Sequence, residues 1–291
     1  MFLKRFLQPI SVLTVMFSFV SAETSPGGVY QIKIGDFTLF SIQDTAGEMS
    51  SKLINNGEDT IIKALMPEGK SPSSNNFFIL KSKKQITLID AGRSGNIVPK
   101  LKKVGVSPEN VDLILITHGH FDHVSGLLDQ GKTVFPRARV LFHEKEKALY
   151  EDSALAKLPE NSQQHFKPTN QVLRVYGKRI GTFVNNTSVA DGITSIDLHG
   201  HTAGHSGFLI ESKGEKLLVL GDFLHIDAVQ FAYPDYSLIY DSDPNQASIT
   251  RKDILNTAAK DNLLIAGIHI QFPGIGKVAN GCEGYVFMPL K

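Results

Sequence analysis

The chain has 291 residues, 42% hydrophobic and 20% charged, a balance that sets aside long disorder, collagen-like repeats and a multi-span membrane protein. Thirty Lys and Arg against 29 Asp and Glu give a formal charge of +1, without the basic excess that nucleic-acid binding draws on. The single cysteine, Cys282, excludes an internal disulfide and a cysteine-rich zinc module, so a metal would be held by nitrogen and oxygen, and the ten histidines become the place to look.

The first predicted element is a targeting segment over residues 1–22. Lys4 and Arg5 precede an apolar stretch at 10–20, and Val20-Ser21-Ala22 offers the small residues of a signal-peptidase site. The stretch is shorter than the roughly 20 residues that span a bilayer. The expectation is a signal peptide cut before Glu23, a periplasmic or secreted protein, and no stable membrane insertion after cleavage. Losing Lys4 and Arg5 leaves 28 basic against 29 acidic residues, a net charge of −1. Residues 23–291 read as a single domain, since no linker composition and no short-period repeat divides them.

Residues 29–34 and 37–42 flank Gly35-Asp36 and predict a β-hairpin. Residues 44–75 are rich in Gly, Ser, Asn and Pro but carry Leu53, Ile54, Ile61, Ile62, Leu65 and Met66, which predicts a partly helical surface excursion serving as a lid. Residues 77–80 and 86–89 form a second hairpin, and 97–104 has helical spacing. Then come a strand at 113–116, a helix start at 124–129, a strand at 139–142 and a helix at 144–150. The second half repeats the idiom with strands at 172–175, 180–184, 194–198, 207–211 and 217–220. It ends with a helix at 245–260, N-capped by Asp243 with Pro244 at its first position, and a late strand at 263–268. Two mixed sheets with outer helices fit this order.

Four apolar runs end alike: 86–89 leads into Asp90, 113–117 into His118, 217–221 into Asp222 and 263–268 into His269. The densest signal is Thr117-His118-Gly119-His120-Phe121-Asp122-His123, three imidazoles and a carboxylate directly after a buried strand. In an extended turn His118 and His120 point the same way, while Asp122 and His123 turn toward a neighbouring point. That suits two metal ions about 3.5–4 Å apart. Gly200-His201-Thr202-Ala203-Gly204-His205 offers His201 as a further ligand, Asp222 a carboxylate that can bridge both ions, and His269 closes the second site.

His-x-His-x-Asp-His, Gly-His-Thr-Ala-Gly-His, Leu-Gly-Asp and a late His resemble, in order and spacing, the metal signature of the metallo-β-lactamase-fold hydrolases, over residues 29–280. The resemblance implies an α/β fold, an αββα sandwich with the site along the common edge of its sheets. It places metal one at His118, His120 and His201, metal two at Asp122, His123 and His269, and Asp222 between them. The stretches 221–231, 240–247 and 268–276 look like the branch containing methyl parathion hydrolase and quorum-quenching lactonases. β-Lactamases with a cysteine ligand are disfavoured because no cysteine lies between His201 and His269; the other β-lactamase types lack a bridging aspartate such as Asp222.

These readings converge on an exported dinuclear hydrolase that uses a hydroxide held between two divalent ions to cleave an ester, lactone or phosphotriester, with Asp122 or Asp222 handling the proton. The all-N/O ligand set fits Zn2+ best and leaves room for Fe, Mn or Co. The alternatives are a glyoxalase II-like thioesterase, a β-lactamase, and a non-catalytic metal-binding protein of the same fold. The expected partner is a small-molecule substrate and not nucleic acid, and a homo-oligomer is compatible with the sequence. Asp90 is expected to orient a ligand imidazole, His225 either to support the site or to pack, and Phe231 and Tyr233 to line the substrate pocket. His199 and His205 read as hydrogen-bonding loop residues, His143 and His165 as solvated, and Cys282 as a buried small hydrophobe.

Overall fold

The computed structural model describes residues 23–25 and 27–290; the expected signal segment at 1–22 lies outside the described residues. In chain order the strands of the first half are β1 (Glu23–Ser25), β2 (Val29–Ile34), β3 (Phe37–Ser50), β4 (Lys70–Lys81), β5 (Ile86–Ile89), β6 (Leu113–Leu115), β7 (Leu128–Asp129), β8 (Lys132–Thr133) and β9 (Arg139–His143). The second half holds β10 (Ile180–Phe183), β11 (Ser188–Ala190), β12 (Ile193–Asp197), β13 (Ser206–Ser212), β14 (Glu215–Val219), β15 (Leu264–Ala266), β16 (Ile275–Asn280) and β17 (Tyr285–Pro289). The helices are α1 (Asp59–Leu65), α2 (Val98–Lys103), α3 (Phe121–Val124), α4 (Glu144–Leu149), α5 (Asp152–Leu155), α6 (Glu160–Tyr176), α7 (Asp227–Gln230) and α8 (Pro244–Lys260).

One sheet has the order β1-β2-β3-β4-β5-β6-β9-β10 and the other runs β11 through β17 in sequence. Period-two alternation decides which face each side chain serves. Phe78 and Leu80 of β4 point into the core between the sheets with Phe208, Leu217 and Val219. Phe77 and Ile79 point outward onto Leu101 of α2 and Val172 and Tyr176 of α6. On the far side Leu218 and Ile265 pack on Leu255 and Ala258 of α8. The result is the expected αββα sandwich.

The local expectations held unevenly. Asp243 caps α8 by accepting the Gln246 N–H, with Pro244 at its first position. Residues 172–175 are not a strand: they close α6, where Val172 and Tyr176 sit one turn apart on the buried face, so helical spacing overrides the β-propensity of the valines. The helix read at 124–129 is instead the single turn α3, then a 3-10 turn and β7; the Ala91 N–H takes the His123 carbonyl at 2.7 Å and draws it out of a helical ladder. Much of 44–75 is strand, with Ser50 in register with Lys70, so the excursion is a β-ribbon carrying a 3-10 turn (Ser51–Leu53) and α1 at its tip. Cys282 is exposed, not buried, in the connection between β16 and β17. His143 is buried, not solvated, and its Nδ1 accepts the Lys145 N–H to cap α4. Among the described residues no helix is long and apolar enough to cross a membrane.

Candidate metal centre

β5 and β6 are parallel neighbours in one sheet, and β14 and β15 are parallel neighbours in the other. Their carboxyl ends therefore emerge together at one edge of the sandwich, where open α/β sheets present their sites. Asp90, His118, Asp222 and His269 leave these four strands. The bridging position also needs Gly221, whose φ is +60° and where a Cβ would stand 2.5 Å from His205 Nε2 and 2.9 Å from Thr117 Cβ.

Two ligand groups form. In the first, His118 Nε2 and His201 Nε2 lie 2.8 and 3.0 Å from His120 Nδ1. In the second, His123 Nε2 and His269 Nε2 lie 3.7 and 3.5 Å from the Asp122 carboxylate. Asp222 stands between them with one oxygen toward each: Oδ1 is 3.0 Å from His123 Nε2 and 3.1 Å from His269 Nε2, and Oδ2 is 3.4 Å from His201 Nε2 and 3.5 Å from His118 Nε2. His205 is not in either group; its Nδ1–H donates to the Leu198 carbonyl and its Nε2 accepts the Asp222 N–H.

The imidazoles are oriented by what their other nitrogen touches, and this fixes the tautomers by partner chemistry. His123 Nδ1–H donates to Asp90 Oδ2 at 2.7 Å, His201 Nδ1–H to Asp241 Oδ1 at 2.9 Å, and His269 Nδ1–H to the Ser74 carbonyl at 3.1 Å. The Thr117 hydroxyl donates to Asp90 Oδ2, which leaves its oxygen to accept His118 Nδ1–H at 3.2 Å. Each of these four rings thus turns an Nε2 lone pair inward. Lone pairs about 3 Å apart repel unless a cation lies among them, and His123 Nε2 and Asp222 Oδ1 are buried with no hydrogen-bond partner. The donor set therefore fits divalent metal ions.

The electrostatics agree. Burial, helped by His123, holds His118 well below the ordinary imidazole range, and burial with His201 brings His120 down to about 3, so both are neutral, as metal binding requires. Burial would lower His123 too, but Asp222, Asp90 and Asp122 outweigh it and push its pKa well up, which marks a place where positive charge is favoured. Burial would raise Asp222, yet His123, His269, His118 and His225 keep it ionised well below the carboxylate range.

A cavity of about 590 Å³ opens over the two groups, with Met49, Leu53, Phe121 and Tyr240 as its apolar walls and Glu48, Arg93 and His165 also lining it. Arg93 lies over the Phe121 ring at 5.3 Å. Phe231 and Tyr233 do not line this cavity: Phe231 is buried in the second-sheet core stacked on Phe287, and Tyr233 stacks on Tyr236 beside α1. Of the six apolar residues expected in the lid, only Leu53 reaches the cavity. Met66, Ile54, Ile61 and Ile62 pack onto Ile226, Val229 and Leu238, and Leu65 is exposed. His225 proves to be bonded, its Nε2 3.0 Å from Asp222 Oδ2 and its ring stacked on His269. Asp241, which holds His201, was missed although it sits in the 240–247 stretch. Arg93 and Tyr240 were missed because nothing in local spacing marks a residue that reaches the site through a loop.

A sequence profile of the Metallo-beta-lactamase superfamily matches residues 71–269. Among solved structures, the hydrolase AbOPH of the β-lactamase superfamily superposes with a TM-score of 0.83 at 29% identity, over 92% of this chain and 99% of that one. AidC, a dizinc quorum-quenching lactonase solved with a product bound, superposes with a TM-score of 0.83 at 23% identity, over 91% of this chain and 98% of that one, which shows the shared fold. The Bacillus subtilis (strain 168) protein YobT is 27% identical over 154 residues, 50% of this chain; the match spans 60% of YobT's length.

Proposed function

The chain belongs to the metallo-β-lactamase superfamily, and on that premise we propose that it is an exported dinuclear metal-dependent hydrolase cleaving a neutral ester, lactone or phosphotriester. The observation that carries this reading is Asp222, with one carboxylate oxygen facing each ligand group. Held by His118, His120 and His201 on one side and by Asp122, His123 and His269 on the other, two divalent ions, Zn2+ first among them, would supply water activation at neutral pH and polarisation of a carbonyl or phosphoryl oxygen.

The chain's own residues do the rest. Asp90, Asp241 and the Ser74 carbonyl keep three imidazoles in the tautomer that presents Nε2, and His225 Nε2–H fixes the rotation of the Asp222 carboxylate. Asp122 is the more exposed of the two carboxylates and lines the cavity, so its carboxylate is placed to take a proton and return it to the leaving oxygen. Met49, Leu53, Phe121 and Tyr240 exclude water around an apolar substrate tail, and burial there favours such tails by about 25 cal/mol per Å².

The test is kcat/KM of the metal-loaded enzyme on matched lactones, aryl esters, thioesters, phosphotriesters and β-lactams. We expect apolar esters or lactones to exceed β-lactams at least tenfold, about 1.4 kcal/mol. Phe121→Ala should cost apolar-tailed substrates about tenfold and short ones little, because the ring is 44% exposed at the wall and carries no fold core. A β-lactam or thioester outrunning every ester and lactone would move the enzyme to one of the alternative classes. Export is part of the same proposal, resting on residues 1–22; N-terminal sequencing of protein from its host should begin near Glu23, and recovery of Met1 from a soluble cytoplasmic fraction would refute it.

A further inference from the structure

Glu146 belongs to neither ligand group, yet its side chain is fully buried beside the first of them. It stands on α4, and its carboxylate accepts three hydrogen bonds from two separate loops. Oε1 takes the Gly119 N–H at 2.9 Å; Oε2 takes the Thr202 hydroxyl at 2.7 Å and the Gly204 N–H at 3.1 Å. Gly119 lies between His118 and His120, and Thr202 follows His201. The Gly119 carbonyl is held from the opposite side by Thr169 Oγ1 of α6. Both loops are shaped for this contact: a Cβ on Gly119 would fall 2.2 Å from the Tyr150 ring, and one on Gly204 would fall 2.5 Å from the Glu146 nitrogen.

Asp122 and His123 of the second group continue from His120 into α3, but the side chains of that group are braced from other elements. His123 is held by Asp90, His269 by the Ser74 carbonyl, and Asn75 Nδ2 lies 3.5 Å from Asp122 Oδ2. We propose that Glu146 is a positioning residue that clamps the two halves of the His118, His120 and His201 group together, and so sets the metal affinity of that group while leaving the Asp122, His123 and His269 group unchanged. All three partners are donors, so a carboxylate serves them and an amide does not. Glu146→Gln keeps the shape but turns an N–H against one donor, leaving a buried group unpaired.

The inference rests on the dinuclear reading, and the experiment separates the two. Metal-free protein is titrated with Zn2+ against a competing chelator, and with Co2+ followed by visible absorption, for the wild type, Glu146→Gln, Thr202→Val and Thr202→Ser. We expect the wild type to bind two equivalents. Glu146→Gln should lose about 10- to 100-fold in affinity for one equivalent, the usual cost of removing a partner behind the ligands. Thr202→Val should lose about tenfold for the same equivalent, and Thr202→Ser, which keeps the hydroxyl, should return it. The other equivalent should stay within about twofold in every variant, and the Co2+ spectrum should change only for the weakened one. If Glu146→Gln does not fold, the Thr202 pair decides alone. Wild-type affinities in the variants, or equal losses at both equivalents as a general loosening of the fold would give, overturn this inference alone. A wild type that binds fewer than two equivalents overturns the dinuclear reading and the inference with it.

Discussion

Asp222→Asn will lower kcat/KM about a thousandfold or more, close to 4 kcal/mol of transition-state stabilisation, and will release metal from the protein. The amide keeps the shape of the side chain, which is buried and surrounded by His118, His123, His201, His225 and His269. Only one of its two polar atoms can still face a ligand group with a lone pair; the other presents N–H. One group therefore loses its oxygen, and the negative charge shared between the groups is gone. Because metal binding contributes folding energy, the thermal midpoint in the presence of zinc should fall as well. Metal content by elemental analysis, read beside kcat/KM, checks both halves. Full occupancy with full activity would show that Asp222 does not join the two groups.

Asp90→Ala will be the most damaging change outside the ligands, at about 3–5 kcal/mol of stability. Asp90 is wholly buried at the end of β5 and sits at φ +56°, in the left-handed region that side chains other than Asn, Asp and Gly seldom adopt. Its carboxylate accepts the Thr117 N–H at 2.8 Å, the Thr117 hydroxyl at 2.7 Å and His123 Nδ1–H at 2.7 Å. Alanine leaves those three donors unpaired in the interior and adds backbone strain. It also frees the His123 ring to rotate, so zinc affinity should drop about 10- to 100-fold. Asp90→Asn separates the effects: it tolerates the backbone and still accepts the Thr117 N–H at Oδ1, but its N–H takes the place of Oδ2 and opposes His123 Nδ1–H. It should recover much of the stability and little of the affinity. Chemical denaturation and chelator competition on both variants measure this; equal zinc affinity in all three proteins would remove Asp90 from the site.

What the sequence made legible follows from range. His118, His120, Asp122 and His123 lie within six residues after one buried run, so their convergence is a local matter of strand-to-turn geometry. The apolar runs leading into Asp90, Asp222 and His269 mark three more positions, because short buried strands end at a sheet edge, and His201 is legible separately from the turn at 200–205. Strand 172–175 failed for the opposite reason: four residues of valine-rich sequence carry both periods, and only packing on the first sheet selects the helix. The pocket walls were the least legible part. Phe231 and Tyr233 follow Asp222 closely in sequence, but α7 turns both into the body. Phe121 at the start of α3 and Arg93 and Tyr240 on two loops come to the cavity from separate parts of the chain, brought together by topology. Glu146 and Asp241 escaped notice because a buried carboxylate holding backbone amides or a ring N–H has no sequence spacing of its own.

Two ligand groups joined by Asp222 are tested most directly by anomalous scattering from crystals grown with zinc, recorded on both sides of the zinc absorption edge. Two peaks are expected. One should lie about 2 Å from His118 Nε2, His120 Nδ1 and His201 Nε2, the other about 2 Å from Asp122, His123 Nε2 and His269 Nε2, with one Asp222 oxygen reaching each. Asp222, His225 and His269 also lie close enough together to hold an ion. A single peak, or a peak among those three residues with His123 left outside it, would contradict the account.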